Sequence, residues 1–252
     1  MRKQHEALTQ TIAVFVLLCG ALTALMGLSV GILFPDPVIP ADGGAGLDAG
    51  EDYHGITVVI DAGHGGEDGG TQSADGMYEK TLNLQIAQML DTMLRADGIA
   101  TVMTRTEDIL LYDRNADYHG HKKMLDLAAR RKIAEETENA VFVSIHMNSF
   151  PETKYHGLQV FYSPNDPRSQ ELAGEIRQYT HRYLQPQNER QIKAATSSIY
   201  LLDRLKCPAV LVECGFLSNP EEAALLGTEE YRRQMAFVLF CAVKSYISTQ
   251  NA

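Results

Sequence analysis

A chain of 252 residues can hold one domain of ordinary size with further segments attached. Its 45% hydrophobic and 21% charged residues make a globular composition, which excludes a disordered polymer. A net charge of −10 leaves no basic face to neutralise a phosphate backbone, so no nucleic-acid partner is expected.

The N-terminus differs from the rest. Arg2 and Lys3 precede Ala7–Pro35, a run without one charged residue and dense in Leu, Val, Ile, Ala and Phe. That run exceeds the roughly 20 apolar residues needed to cross a bilayer. With the basic residues on its N-terminal side, the positive-inside rule leaves the N-terminus in the cytoplasm and the rest outside. The expectation is a single-pass anchor in the cell membrane over residues 1–34, with the following domain extracytoplasmic. The alternative is a signal peptide cleaved at Gly27-Leu28-Ser29 to give a secreted product, but its apolar core would be longer than usual. Cys19 follows Leu17 and Leu18, which are too large for a lipoprotein processing site.

Residues 35–54 are rich in proline and glycine and read as a linker with almost nothing to bury. The folded domain is expected over residues 55–249. Setting Arg2, Lys3 and Glu6 aside from 22 basic and 32 acidic residues leaves the exported part at −11, so anionic lipid or wall polymer would not attract it electrostatically. Specific contacts must do the binding. Of the four cysteines, Cys19 falls in the apolar run, and Cys207 and Cys214 flank one apparent strand, about 20 Å apart in extended chain. No C-x-x-C occurs, so free thiols are expected at Cys207, Cys214 and Cys241.

The first element of the domain is Val58–Gly70, VVIDAGHGGEDGG. An apolar strand runs into Asp61, then His64 sits among glycines that permit a sharp backbone bend. Glu79 opens a helical pattern in which Leu82, Ile86, Met89, Leu90 and Met93 recur at spacings of three and four, with Gly98 as the stop. Ala100–Thr104 is a short strand, and Arg105–His121, charged and without a period, is a loop. Helix returns over Leu125–Glu138, and Ala140–His146, AVFVSIH, is a strand ending in histidine. Leu158–Tyr162 is extended and closed by Ser163-Pro164-Asn165-Asp166; Gln170–Leu184 is helical; Ile199–Leu202 is extended. Ala209–Glu213, AVLVE, is a buried strand, and a last helix runs from about Glu229 to Tyr246. Apolar strands alternating with helices indicate a single three-layer α/β domain, a mostly parallel twisted sheet with helices on both faces.

The polar residues carry the chemistry. His64, His146 and Glu213 each lie at or just beyond the C-terminal end of a strand, and Glu79 starts the helix after the first one. In a parallel sheet those positions meet on one edge. Two histidines and a carboxylate, with a fourth position left to water, form the ligand set of a catalytic zinc site. A second, non-ligating carboxylate is then needed as general base and later acid. Glu79 and Glu213 both qualify, and the pattern alone does not say which ligates. Read blandly, Glu79 only favours a helix N-terminus; Glu213 is harder to dismiss, since burying a carboxylate without a partner is costly.

Other site types fit less well. A dinucleotide fingerprint fails because its third glycine position is Asp68, and no Gly-Lys-Ser/Thr follows for a P-loop. A zinc peptidase or deacetylase of the cell wall shares the metal logic, but H-E-x-x-H is absent. A non-catalytic, membrane-tethered peptidoglycan-binding protein is the non-enzyme alternative, against which the retained Glu213 argues.

IDAGHGGEDGG, GMYEKTLNLQIA, FVSIHMNS and PAVLVECGFLSNPEE, in that order, resemble the zinc-dependent N-acetylmuramoyl-L-alanine amidases of the type-3 family over nearly all of Gly55–Ile247. The resemblance implies a zinc ion held by His64, Glu79 and His146, and Glu213 as the catalytic glutamate. It implies peptidoglycan, a glycan strand with stem peptides, as substrate. Arg130, in LAARRKIAEE, matches a recurrent arginine of no assigned role; on the residues alone it reads equally well as a solvated helix charge. Two positions depart from the family pattern: Ala62 where proline is usual, loosening the turn, and Glu135 for a common asparagine. The apolar N-terminal run, the short linker and ECGFLSNPEEAALL are most similar to the germination-specific members, which act on spore-cortex peptidoglycan so that a deacetylase can complete muramic lactam. No appended wall-binding module is expected.

Overall fold

The computed structural model describes residues 55–112 and 120–250. The expected anchor and linker, 1–54, and residues 113–119 of the charged loop lie outside that range. Among the described residues no helix is long and apolar enough to cross a membrane.

Among the described residues six strands form one sheet: β1 (Thr57–Ala62), β2 (Ala100–Met103), β3 (Ala140–Asn148), β4 (Gln159–Tyr162), β5 (Lys193–Ala194) and β6 (Ala209–Phe216). Their spatial order is β2-β1-β3-β6-β4-β5. β2, β1, β3 and β6 are mutually parallel, whereas β4 runs antiparallel to β6 and carries β5 parallel to itself. The sheet is therefore mostly parallel, with a reversed edge. The stretch from 149 to 158 holds no helix, and a parallel return needs a crossover long enough to pack one.

The described helices cover the sheet: α1 (Glu79–Ala96), α2 (Lys122–Glu136), α3 (Arg168–Tyr183), α4 (Tyr200–Arg204), α5 (Pro220–Gly227) and α6 (Glu229–Gln250). Side chains alternate between the two faces of each strand. Val58, Ile60, Val141, Val143, Val210 and Val212 bury one face beneath α1, α3 and α6 through Ile86, Leu90, Leu172, Ile176, Met235 and Leu239. Val59, Phe142 and Ala209 point the other way, into a smaller cluster with Ala134 of α2, Leu201 and Leu202 of α4, and Leu205. The alternation that sends Val59 and Phe142 to the smaller side sends Asp61, Ser144, His146 and Glu213 there too, now at the C-terminal edge.

Three elements differ from the expectation, the two-residue β5 among them. Ile199–Leu202 is not extended; Tyr200–Arg204 is one turn of helix that drops Leu201 and Leu202 onto Phe142 and its neighbours. Short apolar runs carry no period long enough to separate helix from strand. α5 was not expected, although its signals stand in the sequence. The Asn219 side chain accepts from the Glu222 amide at 2.9 Å, and Pro220 occupies the first turn. β3 and β6 also continue past the apolar runs that announced them, to Asn148 and Phe216. Cys207, Cys214 and Cys241 are free, as expected, and burial pushes the Cys207 thiol up to about 11.

Phe142 is fully buried in the thinner of the two apolar layers. Phe142→Ala is expected to cost about 3–5 kcal/mol, lowering the denaturant midpoint with the slope unchanged in equilibrium unfolding.

Candidate metal centre

The centre is built where β1 ends. The Gly63 amide donates to the Ile145 carbonyl at 3.0 Å, carrying the ladder one step past the strand. The backbone then turns left-handed at His64 (φ 62) and at Gly66 (φ 54). For a residue with a Cβ that conformation is strained by about 1 kcal/mol or more, so the surroundings must impose it. A Cβ on Gly63 would collide with the His146 ring, and one on Gly70 with the Glu79 carboxylate. Glycine at these two places lets the backbone lie against the site.

His64, Glu79 and His146 come together as the strand ends predict. One donor atom from each lies within 4.8 Å of the others, a donor set suited to one metal ion. Glu79 Oε1 stands 3.2 Å from His64 Nε2 and 2.9 Å from His146 Nδ1, and accepts from the Met147 amide at 3.0 Å. Its other oxygen accepts from the Thr71 amide at 2.8 Å, and Asn83, one turn along α1, donates to Oε1 at 3.3 Å. A bulge in the β3–β6 ladder just after His146 turns the Met147 amide toward this carboxylate. Asp68 stands 2.9 Å from His64 Nδ1, leaving Nε2 as the inward-facing nitrogen. Burial opposes a charged imidazole, yet hydrogen bonds to Asp68 and Glu79 push His64 up to about 9. Burial opposes charge on Glu79 too, but hydrogen bonds to His146 and His64 hold its carboxyl far below the ordinary range. The cluster is thus organised around a positive charge, which a proton or a metal ion can supply.

Glu213 faces His146 across β3 and β6 in direct register. Its Oε2 is buried with no hydrogen-bond partner among the described residues. Burial pushes its carboxyl up to about 7, with His146 pulling it down and the Glu79 charge adding to the rise. A carboxyl near neutrality in a cleft is a proton-transfer candidate. That cleft, about 260 Å³, is lined by His64, His146 and Glu213 and walled by Lys123 and Leu127 of α2 and by Tyr200.

Arg130 is not a solvated helix charge. It is 1% exposed, and each guanidinium N–H has a partner. Nε donates to Asp126 at 2.7 Å, Nη1 to Asp61 and the Ala62 carbonyl at 2.7 Å each, and Nη2 to the His64 carbonyl at 2.7 Å and to Asp126 at 3.3 Å. Burial works against charge on Asp61, but Arg130 and the Ser144 hydroxyl at 2.6 Å hold its carboxyl below the ordinary range. The neighbouring Arg131 lies outside this network and pairs with Glu135, the family departure, on the surface at 2.8 Å. The Ala62 carbonyl is held by two arginines, Arg130 and, at 2.8 Å, Arg105.

The sequence reading left Asp61, Asp68, Asn83, Arg105 and Asp126 without roles. For two of them a signal was present: Asn83 follows Glu79, and Arg130 follows Asp126, by four residues, one helical turn on the same face.

Residues 58–245 match the N-acetylmuramoyl-L-alanine amidase family of type 3. The chain is 31% identical to the germination-specific N-acetylmuramoyl-L-alanine amidase of Bacillus subtilis over 78% of its own length and 82% of that protein's. Among solved structures it is similar to the CwlD amidase of Clostridioides difficile in complex with the GerS lipoprotein, at 36% identity and a TM-score of 0.73, covering 77% of this chain and 99% of that one. The amidase AmiC2 of Nostoc punctiforme is 29% identical with a TM-score of 0.65, covering 76% and 96%. These matches set aside the non-catalytic, peptidase and deacetylase readings. The chain belongs to the type-3 N-acetylmuramoyl-L-alanine amidases, enzymes of the bacterial cell wall acting on peptidoglycan, and within them it resembles the germination-specific members.

Proposed function

We propose that this amidase works with a zinc ion held by His64, Glu79 and His146, and that Glu213 is its proton-transfer group. The observation that carries the reading is the convergence of three donor atoms within 4.8 Å beside a buried carboxylate oxygen that has no hydrogen-bond partner among the described residues. Bound there, zinc would polarise the scissile carbonyl and acidify a water molecule. Glu79 is oriented for its role by Thr71, Asn83 and Met147, and His64 by Asp68.

The bond to be cut joins the lactyl carbonyl of muramic acid to the nitrogen of L-alanine. Water adds to the carbonyl carbon while Glu213 takes its proton. Glu213 then delivers that proton to the alanine nitrogen as the C–N bond breaks, leaving a free amine and a lactyl carboxylic acid, which gives up the second water proton to solvent. An amide nitrogen leaves poorly unless protonated, so the transfer is worth ~10²–10⁴-fold. Burial pushes the Glu213 carboxyl above its ordinary range, which favours its holding a proton between the two steps.

The proposed setting is the outer side of a membrane, with residues 1–34 as anchor and 35–54 as linker. The likeness to the germination-specific amidase supports a spore-cortex role, in which peptide-stripped muramic acid passes to a peptidoglycan deacetylase on the way to muramic lactam.

Glu213→Gln is expected to keep its zinc and lose ~10²–10⁴-fold in turnover on purified peptidoglycan, whereas Glu79→Gln loses the metal as well, because a neutral amide is a poor zinc ligand. Elemental analysis beside turnover decides the matter: a metal-free Glu213→Gln with a metal-loaded, inactive Glu79→Gln reverses the two roles, and a chelator-treated parent at full activity removes zinc from the mechanism. For the anchor, the mature protein should stay in the membrane fraction with its own N-terminus. A soluble exported product beginning near Val30 would establish signal cleavage instead.

A further inference from the structure

We infer that Arg105 and Arg130 are positioning residues for this reaction, holding the three successive carbonyls of Ala62, Gly63 and His64 and thereby fixing the His64 imidazole against Glu79 and His146. The inference rests on the metal reading above and adds to it what makes the His64 backbone adopt its turn.

Three consecutive peptide carbonyls are turned away from any ladder partner at the end of β1. Ala62 O accepts from Arg130 Nη1 at 2.7 Å and Arg105 Nε at 2.8 Å. Gly63 O accepts from Arg105 Nη2 at 3.0 Å and from Asn83 Nδ2 at 3.1 Å. His64 O accepts from Arg130 Nη2 at 2.7 Å. The left-handed φ of 62 at His64 is what brings its carbonyl to Arg130 and its ring to Glu79. Without the two guanidiniums the Ala62 and His64 carbonyls would lose these partners and Gly63 O would keep Asn83 alone, and an extended backbone at His64 would be the cheaper conformation.

Both arginines are also tied to elements outside the loop. Arg130 is fixed by Asp126 on its own helix and by Asp61 on β1. Arg105 reaches the Lys80 carbonyl in the first turn of α1 at 2.8 Å and the Glu107 carbonyl at 3.0 Å. So it ties the His64 loop to the helix that carries Glu79. Planar forks are required, because each group holds acceptors on different sides at once, which a lysine ammonium on a single point cannot do. Burial and the neighbouring Arg130 charge together bring Arg105 down to about 10, so two like charges sit close together. Asp61, Asp126 and Asp108 balance them. A fold seeking only stability would fill this space with apolar side chains.

The test uses the full chain carrying Arg105→Lys or Arg130→Lys, with the surface neighbour Arg131→Lys as control. In the metal-free protein, amide exchange over residues 63–70 is expected to rise about tenfold in the two variants while α6 stays as protected as in the parent. Zinc affinity by chelator competition is expected to fall ~10–100-fold, the usual effect of losing a group that orients a ligand. Arg131→Lys should match the parent in both. Exchange unchanged at 63–70, zinc affinity within about twofold of the parent, or a uniform rise that includes α6 would each overturn the inference, the last by showing a general structural role. If Arg130→Lys does not fold, Arg105→Lys decides alone. A parent that binds no zinc defeats the metal reading and this role with it, whereas a zinc-binding parent with an indifferent Arg105→Lys defeats only the positioning role.

Discussion

One carboxylate joins the fold to the chemistry. Glu79 is the first residue of α1, and its Oε1 is shared between two imidazoles from different strand ends. Its direction is set far from the site. Leu82, Ile86, Leu90 and Leu94 form the apolar stripe that α1 lays on the sheet, and Glu79 and Asn83 belong to the same face. Rotating the helix to move the carboxylate would expose that stripe, four large aliphatic side chains worth about 1.5–3 kcal/mol each in burial. The hydrophobic effect is not directional, yet periodicity converts it here into a directional constraint on one oxygen atom.

The two faces of the sheet do different work. The larger apolar cluster beneath α1, α3 and α6 supplies the rigid platform, while the thinner side carries Asp61, Ser144, His146 and Glu213 in a row of polar positions. Charges that are costly to bury are tolerated there because they are matched: Arg130 by two aspartates, Asp61 by an arginine and two hydroxyls. Glu213 is the exception. Its buried oxygen has no partner among the described residues, which is a liability for stability and an asset for proton transfer.

Much of this was legible in the sequence. Strand ends are marked by polar residues terminating apolar runs, and His64, His146 and Glu213 fell where a parallel sheet gathers them. Period-3.6 apolar residues placed α1 and with it Glu79. What stayed hidden depends on information that no local pattern holds. Arg130 and Arg131 are neighbours, and only the rotation of α2 against β1 decides that one is buried and the other exposed. Arg105 stands in a charged loop without periodicity, and its partners lie in three separate segments. The reversed β4, the single turn of α4 and the left-handed His64 follow from tertiary packing that overrides weak local preference. Ile199–Leu202 misled because four apolar residues satisfy either period.

The attachment of α2 differs in kind from that of the other long helices. Its buried residues are Asp126, Arg130 and Ala134, with Leu127 and Ile133 half-buried beside them, so ion pairs hold it to the sheet together with a small apolar contact. It is also one wall of the cleft that His64, His146 and Glu213 line, through Lys123 and Leu127. A helix held by few apolar contacts belongs to the low end of the range of local opening free energies. Here the group that would have to let go is the same guanidinium that grips the His64 carbonyl. Opening the cleft wall therefore also releases the histidine loop, because one side chain serves both.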